Sequence, residues 1–183
     1  MKKKWLRTVL PIVVIVFLVL AGIWYTRPMT IAQLAPELDM EHPHSLYVHT
    51  RNYHVDSSGY ANAEEEPLKL NLPGEDPRYQ EFRSILENLR FRRTIKGLLT
   101  DLLDLERGTK IKDGMINWRL ALQDSGLFEL QFFNGTFYCI YCDASGNYEY
   151  NNFRECRMEN HDEVAEALTS LILAYSTPDE GIN

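Results

Sequence analysis

The first 36 residues of this 183-residue chain contain no acidic side chain. Lys2, Lys3, Lys4, Arg7 and Arg27 lie there, so the segment is purely basic, and all 26 acidic residues follow it. Subtracting those five from the 19 basic residues leaves 14, and 14 minus 26 gives the remainder a formal charge near −12. A part that acidic is a poor nucleic-acid partner, because such binding rests on neutralising phosphates with cations. Cysteine is scarce as well, at three residues. No Cys follows the N-terminal apolar run, which excludes a lipid-modified N-terminal cysteine. Three cysteines are also too few for a disulfide-stapled scaffold. The chain has no nucleophile elbow, no glycine-rich phosphate loop, no H-E-x-x-H and no internal repeat.

What is present begins with Thr8–Thr26, an uncharged run of 19 residues. As a helix it would be roughly 28 Å long, close to the hydrocarbon thickness of a bilayer. Twelve of its residues are Val, Leu, Ile or Phe. At about −0.3 to −0.6 kcal/mol each, they favour insertion by about −4 to −7 kcal/mol. Pro11 is expected in the first turn, where its missing N–H costs little. Trp5, and Trp24 with Tyr25, suit the two interfaces, and the basic tail places the N-terminus in the cytoplasm. Val19-Leu20-Ala21 offers a cleavage-site alternative. The run is longer than a signal-peptide core, however, and bulky Ile23, Trp24 and Tyr25 follow Ala21. The expectation is a single-pass anchor through residues 8–26, with the rest extracytoplasmic.

Residues 1–27 therefore read as tail and anchor, 28–44 as a Pro-containing tether, 45–177 as one domain, and 178–183 as a tail. An apolar content of 45% excludes a wholly disordered chain. Ser45–Tyr53 and Leu68–Leu72 read as strands. Asp76-Pro77 opens a helix as N-cap and N1, with Tyr79, Phe82, Leu86 and Leu89 as its stripe and Ile85 widening it. From Phe91 to Leu105 the pattern allows a second helical piece, carrying Leu98, Leu99, Leu102 and Leu103, or an extended one. From Gly108 to Phe153, turn signals recur about every ten residues between aromatic-rich segments, which argues for an antiparallel meander of about four strands.

Asn134-Gly135 is a type I′ hairpin signal, since both central residues of that turn need positive φ. It sets the register: Phe132 opposite Phe137, Leu130 opposite Cys139, Phe128 opposite Tyr141. Glu129 and Gln131 then occupy the other face, opposite Ile140 and Tyr138. A closing helix has Asn160 as cap, Glu163 completing an approximate capping box, and Val164, Leu168, Leu171, Ile172 and Tyr175 as its stripe. It must end before Pro178. The fold class expected is α+β: an N-terminal transmembrane helix, then an antiparallel meander sheet with about two helices on one face.

Several residue groups have chemistry worth weighing. Cys139, Cys142, Cys156 and His161 give C-x2-C-x13-C-x4-H, superficially a zinc spacing. Residues three apart on a strand point to opposite faces, so Cys139 and Cys142 diverge and packing cysteines are the plainer reading. A Cys142–Cys156 disulfide is the alternative. His42, His44, His49 and His54 are close in sequence but lack a matching carboxylate spacing. Arg90, Arg92, Arg93 and Lys96 form the one basic cluster of the acidic part. They read as a solvated helix end, with lipid headgroups or an anionic ligand as the alternative. Ser84 and Ser170 lie on helices with no activating context. The sequence thus nominates no catalytic, cofactor-binding or metal-ligating residue.

The plan resembles small uncharacterised membrane-anchored, lipoprotein-like extracytoplasmic domains of Gram-positive bacteria. The resemblance rests on Lys2-Lys-Lys4 with the apolar run and on Ile31-Ala-Gln-Leu34. It rests also on the strand Ser45–Thr50, the helix Phe82…Leu89 and a closing strand at Asn147-Tyr-Glu-Tyr150. It implies a tethered envelope domain and carries no activity with it. Two functional readings follow. One is a non-catalytic module that binds an envelope protein, a peptide or a wall component. The other is a small-ligand binder or enzyme with its site on the sheet face.

Overall fold

The computed structural model describes residues 2–58, 61–63, 67–95, 115–124, 127–142 and 154–178, the backbone alone for 2–8, 61–63, 142, 154 and 155. The chain opens with a 24-residue helix, α1 (Lys2–Tyr25). It starts within the basic tail, so Pro11 falls in its interior and not in its first turn. Thr26 closes the helix, its backbone N–H and Oγ1 both donating to the Gly22 carbonyl, at 3.0 and 2.9 Å. The apolar side chains from Leu10 to Trp24 are exposed, Phe17 at 69%. Among the described residues no helix is long and apolar enough to cross a membrane, so the fold does not itself support the span expected at residues 8–26.

The segment expected as a tether is packed. Met29 exchanges two backbone hydrogen bonds with Phe91, at 2.8 and 3.0 Å. A one-turn helix α2 (Ile31–Leu34) follows, held by a capping box between Thr30 and Gln33. Ile31, Ala35 and Leu38 are buried in the core. The prolines stop regular structure here, but the apolar residues between them still have a core to enter.

The remaining elements build one antiparallel sheet. They are β1 (Ser45–Val55), β2 (Ala61–Ala63), β3 (Leu68–Pro73), α3 (Pro77–Leu86), β4 (Phe91–Arg93), β5 (Ile116–Gln123), β6 (Leu127–Phe133), β7 (Thr136–Cys142), β8 (Arg154–Met158), α4 (His161–Tyr175) and β9 (Thr177–Pro178). The strand order is β4-β8-β7-β6-β5-β1-β3-β9, with β2 paired to the end of β1. The α+β class and the antiparallel sheet with helices are therefore as the sequence implies. So is the register of β6 with β7, residue for residue. Asn134 and Gly135 have φ of 53° and 78°, the positive values a type I′ turn needs. Asn117 secures that turn: its Oδ1 accepts the Asn134 N–H at 2.7 Å.

Helices α3 and α4 cover the same sheet face. Asp76 caps α3 by accepting the Arg78 N–H, with Pro77 at N1, and buries Tyr79, Phe82 and Leu86 beneath it. α4 buries Leu168 and Ile172, and Thr169 accepts a hydrogen bond from the Trp118 indole on β5 at 2.9 Å. Tyr175 ties the helices together, its hydroxyl donating to Glu81 at 2.6 Å. Asn160 does occupy the N-cap of α4, but the expected capping box is absent. Asn160 sits in the left-handed region at φ 55°, turning the chain from β8 straight into the helix, and its side chain makes no cap bond. At Gly74 a Cβ would stand 2.0 Å from the Pro43 carbonyl oxygen, so glycine is what lets the turn before α3 close against that loop. The Phe91–Leu105 stretch is extended at Phe91–Arg93. Leu98, Leu99, Leu102, Leu103, the turn at Asp143–Gly146 and the strand expected at Asn147–Tyr150 lie outside the described residues.

Candidate binding face

The sheet face away from α3 and α4 is polar, and pairing fixes its order. Lys69, His49, Arg119, Gln131 and Tyr138 succeed one another across β3, β1, β5, β6 and β7. The neighbouring row runs Asn71, Tyr47, Ala121, Glu129, Ile140. On the other side of the first row, Arg51 lies opposite Asn117. Strand alternation produces this arrangement: β1 offers Tyr47, His49 and Arg51 to this face, and β5 and β6 add Asn117, Arg119, Glu129 and Gln131, while the residues between them supply the core.

Between these rows lies a cleft of about 400 Å³, lined by His49, Arg51, Tyr53, Arg119, Gln131 and Phe133 among others. Tyr53 and Phe133 meet edge to face at its rim, centroids 6.0 Å apart. Arg51 is exposed and has no ion pair among the described residues. Arg119 is half exposed and reaches back to Glu129, whose side chain is only 2% exposed. Gln131 donates to the other carboxylate oxygen of Glu129. One buried carboxylate thus holds Arg119 and Gln131 in place, and its charge is met by one guanidinium and one amide. Removing either would leave a buried acceptor unmet, which is expensive. Sequence reasoning assigned Glu129 to this face but gave no sign of its burial. An outward-facing Glu on a strand is ordinarily solvated, and its contacts come from a register with β5 that no turn signal specified.

The other weighed residues do not converge. Cys139 and Cys156 are both buried, free thiols. Cys139 lies opposite Arg154 and Cys156 opposite Phe137, so the two share the helix-covered face. Burial, then a hydrogen bond with Cys156, pushes the Cys139 thiol well up. The neighbour of Cys156 is therefore Cys139, on the adjacent strand. By strand alternation the Cys142 position belongs to the opposite face. His161 packs edge-on against Phe137 at 5.0 Å, and its Nδ1 lies 3.0 Å from Asp162. Among the described residues no three His, Cys, Asp or Glu side chains are placed to hold a metal. His42 stands beside Asp39 in a loop, while His49 and His54 alternate to opposite faces of β1. The Ser84 hydroxyl donates to the Glu81 carbonyl within α3, and Ser170 is exposed on α4.

The basic cluster is not a helix end as a whole. Arg90 donates to the Glu87 and Leu89 carbonyls just past α3, as a helix-end cation would. Arg92 and Arg93, however, belong to β4. Arg92 pairs with Glu159 at 3.0 Å, and Arg93 lies over the Tyr25 ring at 5.6 Å. Lys96 is outside the described residues.

Fold and face together define an antiparallel α+β domain with helices on one side and a cation-bearing polar cleft on the other. No family model matches the chain, no curated protein matches it, and no solved structure matches it.

Proposed function

We propose that this protein is a membrane-tethered, extracytoplasmic binding module without a catalytic role, which holds a carboxylate-bearing segment of an envelope protein or peptide in the cleft on the sheet face away from α3 and α4. The observation that carries the reading is the cleft. In a part of the chain near −12, it gathers Arg51, Arg119 and His49 around an aromatic rim. Among the described residues, Arg119 pairs with Glu129. An exposed guanidinium with no ion pair among the described residues, beside a second fixed by a buried partner, suits a carboxylate ligand. Tethering is supported by the 19-residue uncharged run, its aromatic ends and the exposed apolar side chains of α1. The basic residues before the run favour a cytoplasmic N-terminus and an extracytoplasmic domain. The same plan underlies the likeness to small anchored envelope domains of Gram-positive bacteria.

The reading is tested in two parts. Membrane fractions washed at alkaline pH should retain the intact chain, and a soluble product beginning near Gly22 would reject the anchor. Titration of the detergent-solubilised chain with short peptides should show preference for acidic over neutral ones, lost in Arg51→Gln. Equal binding of both peptide sets would reject the ligand class. The cleft volume also falls in the range of small-ligand pockets. A small carboxylate competing fully with the acidic peptide would favour a small-ligand site, or an enzyme, over a protein partner.

A further inference from the structure

The cations of this acidic chain are not spread evenly over the fold. α1 ends at Tyr25, and only four residues later Met29 is pinned to Phe91 by two backbone hydrogen bonds. That bridge brings β4 and its neighbour β8 to the foot of α1. Arg27 lies over the Trp24 ring at 5.2 Å and Arg93 over the Tyr25 ring at 5.6 Å, so both guanidiniums stand at the helix's aromatic end. On the next strand pair, Arg92 and Arg157 sit directly opposite each other across β4 and β8. Like charges at opposed positions repel, and nothing in the strand pattern requires them. Arg27, Arg90, Arg92 and Arg157 are all exposed. Among the described residues, the one ion pair made by these five arginines is Arg92 with Glu159. The corner where the chain leaves α1 is therefore cationic, although the residues after Arg27, four of these arginines included, sum to near −12.

We infer that this corner, formed by Arg27, Arg90, Arg92, Arg93 and Arg157, docks on anionic phospholipid headgroups of the bilayer that α1 enters. The inference rests on the membrane reading above and adds an orientation to it. Trp24 and Tyr25 mark the headgroup level, the depth aromatic side chains prefer, and the arginines beside them are at the height of the lipid phosphates. An anionic surface attracts this corner and repels the acidic remainder, so it holds the β4 edge down and the far strands away.

The experiment uses the full chain in nanodiscs of phosphatidylcholine alone or of phosphatidylcholine with phosphatidylglycerol, and reads amide hydrogen exchange. Amides of residues 90–93 and 157–159 should exchange several-fold more slowly in the anionic discs at low salt. The difference should vanish at high salt, as screening of exposed charges requires, and in the double variant Arg92→Gln/Arg157→Gln. Unchanged protection of β5 and β6 in that variant shows that it is folded. Equal exchange in the two disc types, with the chain co-eluting with the discs, overturns the docking and leaves the anchor standing. A chain that elutes apart from the discs overturns both.

Discussion

Phe132 and Gln131 are neighbours in sequence and point to opposite sides of β6. Phe132 packs against Trp118, Phe137 and His161, with centroids at 5.6, 4.9 and 6.1 Å. Phe132→Ala should cost about 3–5 kcal/mol, the usual figure for emptying a buried aromatic site, measured by denaturant unfolding. From the sequence pattern, Gln131→Ala is expected to cost well under about 1 kcal/mol, as surface changes do. Its bond to the buried Glu129 raises that expectation to about 1–3 kcal/mol, the penalty for leaving a buried acceptor short of a partner. A neutral Gln131→Ala would show that Arg119 alone satisfies Glu129. Tyr79 makes a pH prediction. It is fully buried, its hydroxyl donates to the Met40 carbonyl at 2.7 Å, and burial pushes its phenol from 10.0 up to about 12. The folded pKa is raised, so this contribution is complete below pH 10 and is lost as pH rises from 10 through 12. Stability should fall there by up to about 1.4 kcal/mol per pH unit. In Tyr79→Phe that part of the alkaline slope should disappear, at the cost of about 1 kcal/mol for the lost hydrogen bond.

The segment around α2 decides where the domain begins. A boundary at residue 45 discards Met29, Ile31, Ala35 and Leu38, all buried. Losing two aliphatic sites such as Ile31 and Leu38 is on the order of 2–5 kcal/mol each, against a total of about 5–15 for a domain. A chain starting at residue 28 should melt cooperatively, while one starting at residue 45 should melt far lower or without a transition. Equal melting temperatures would mean that α2 merely rests on the surface. The contrast with the β6–β7 hairpin shows what the sequence reveals. Two residues, Asn134 and Gly135, set that register through local backbone geometry, so it could be read directly. The α3 stripe was equally legible because its period of burial is local. The lead-in segment has no period, and its packing depends on partners 60 residues away, as Met29 with Phe91. The cleft was half legible for the same reason. Alternation put Gln131 and Glu129 on the polar face, but the approach of Arg51 and Arg119 required the β1–β5 pairing, which joins residues about 70 apart.

Across the whole molecule, the two ends of the described fold lie at opposite sheet edges. Met29 joins at β4, and β9 closes the other side, seven strand steps away in the order observed. At about 4.8 Å per step that is roughly 34 Å, measured along the direction of the inter-strand hydrogen bonds. A load applied between the N-terminus and the C-terminus would therefore pull along those bonds, opening them one after another like a zip instead of shearing a whole ladder at once. At the N-terminal end of that path the first link is the pair of hydrogen bonds between Met29 and Phe91. Releasing residues 29–44 frees 16 residues, which at about 3.3–3.6 Å each lengthen the chain by roughly 50–60 Å. Optical-tweezers extension should show that short step at low force ahead of the main unfolding event, and a single all-or-none rip would contradict it. A domain standing on such a joint gives way at its foot before its sheet opens, and the sheet left behind is the weakened one of a chain that starts at residue 45.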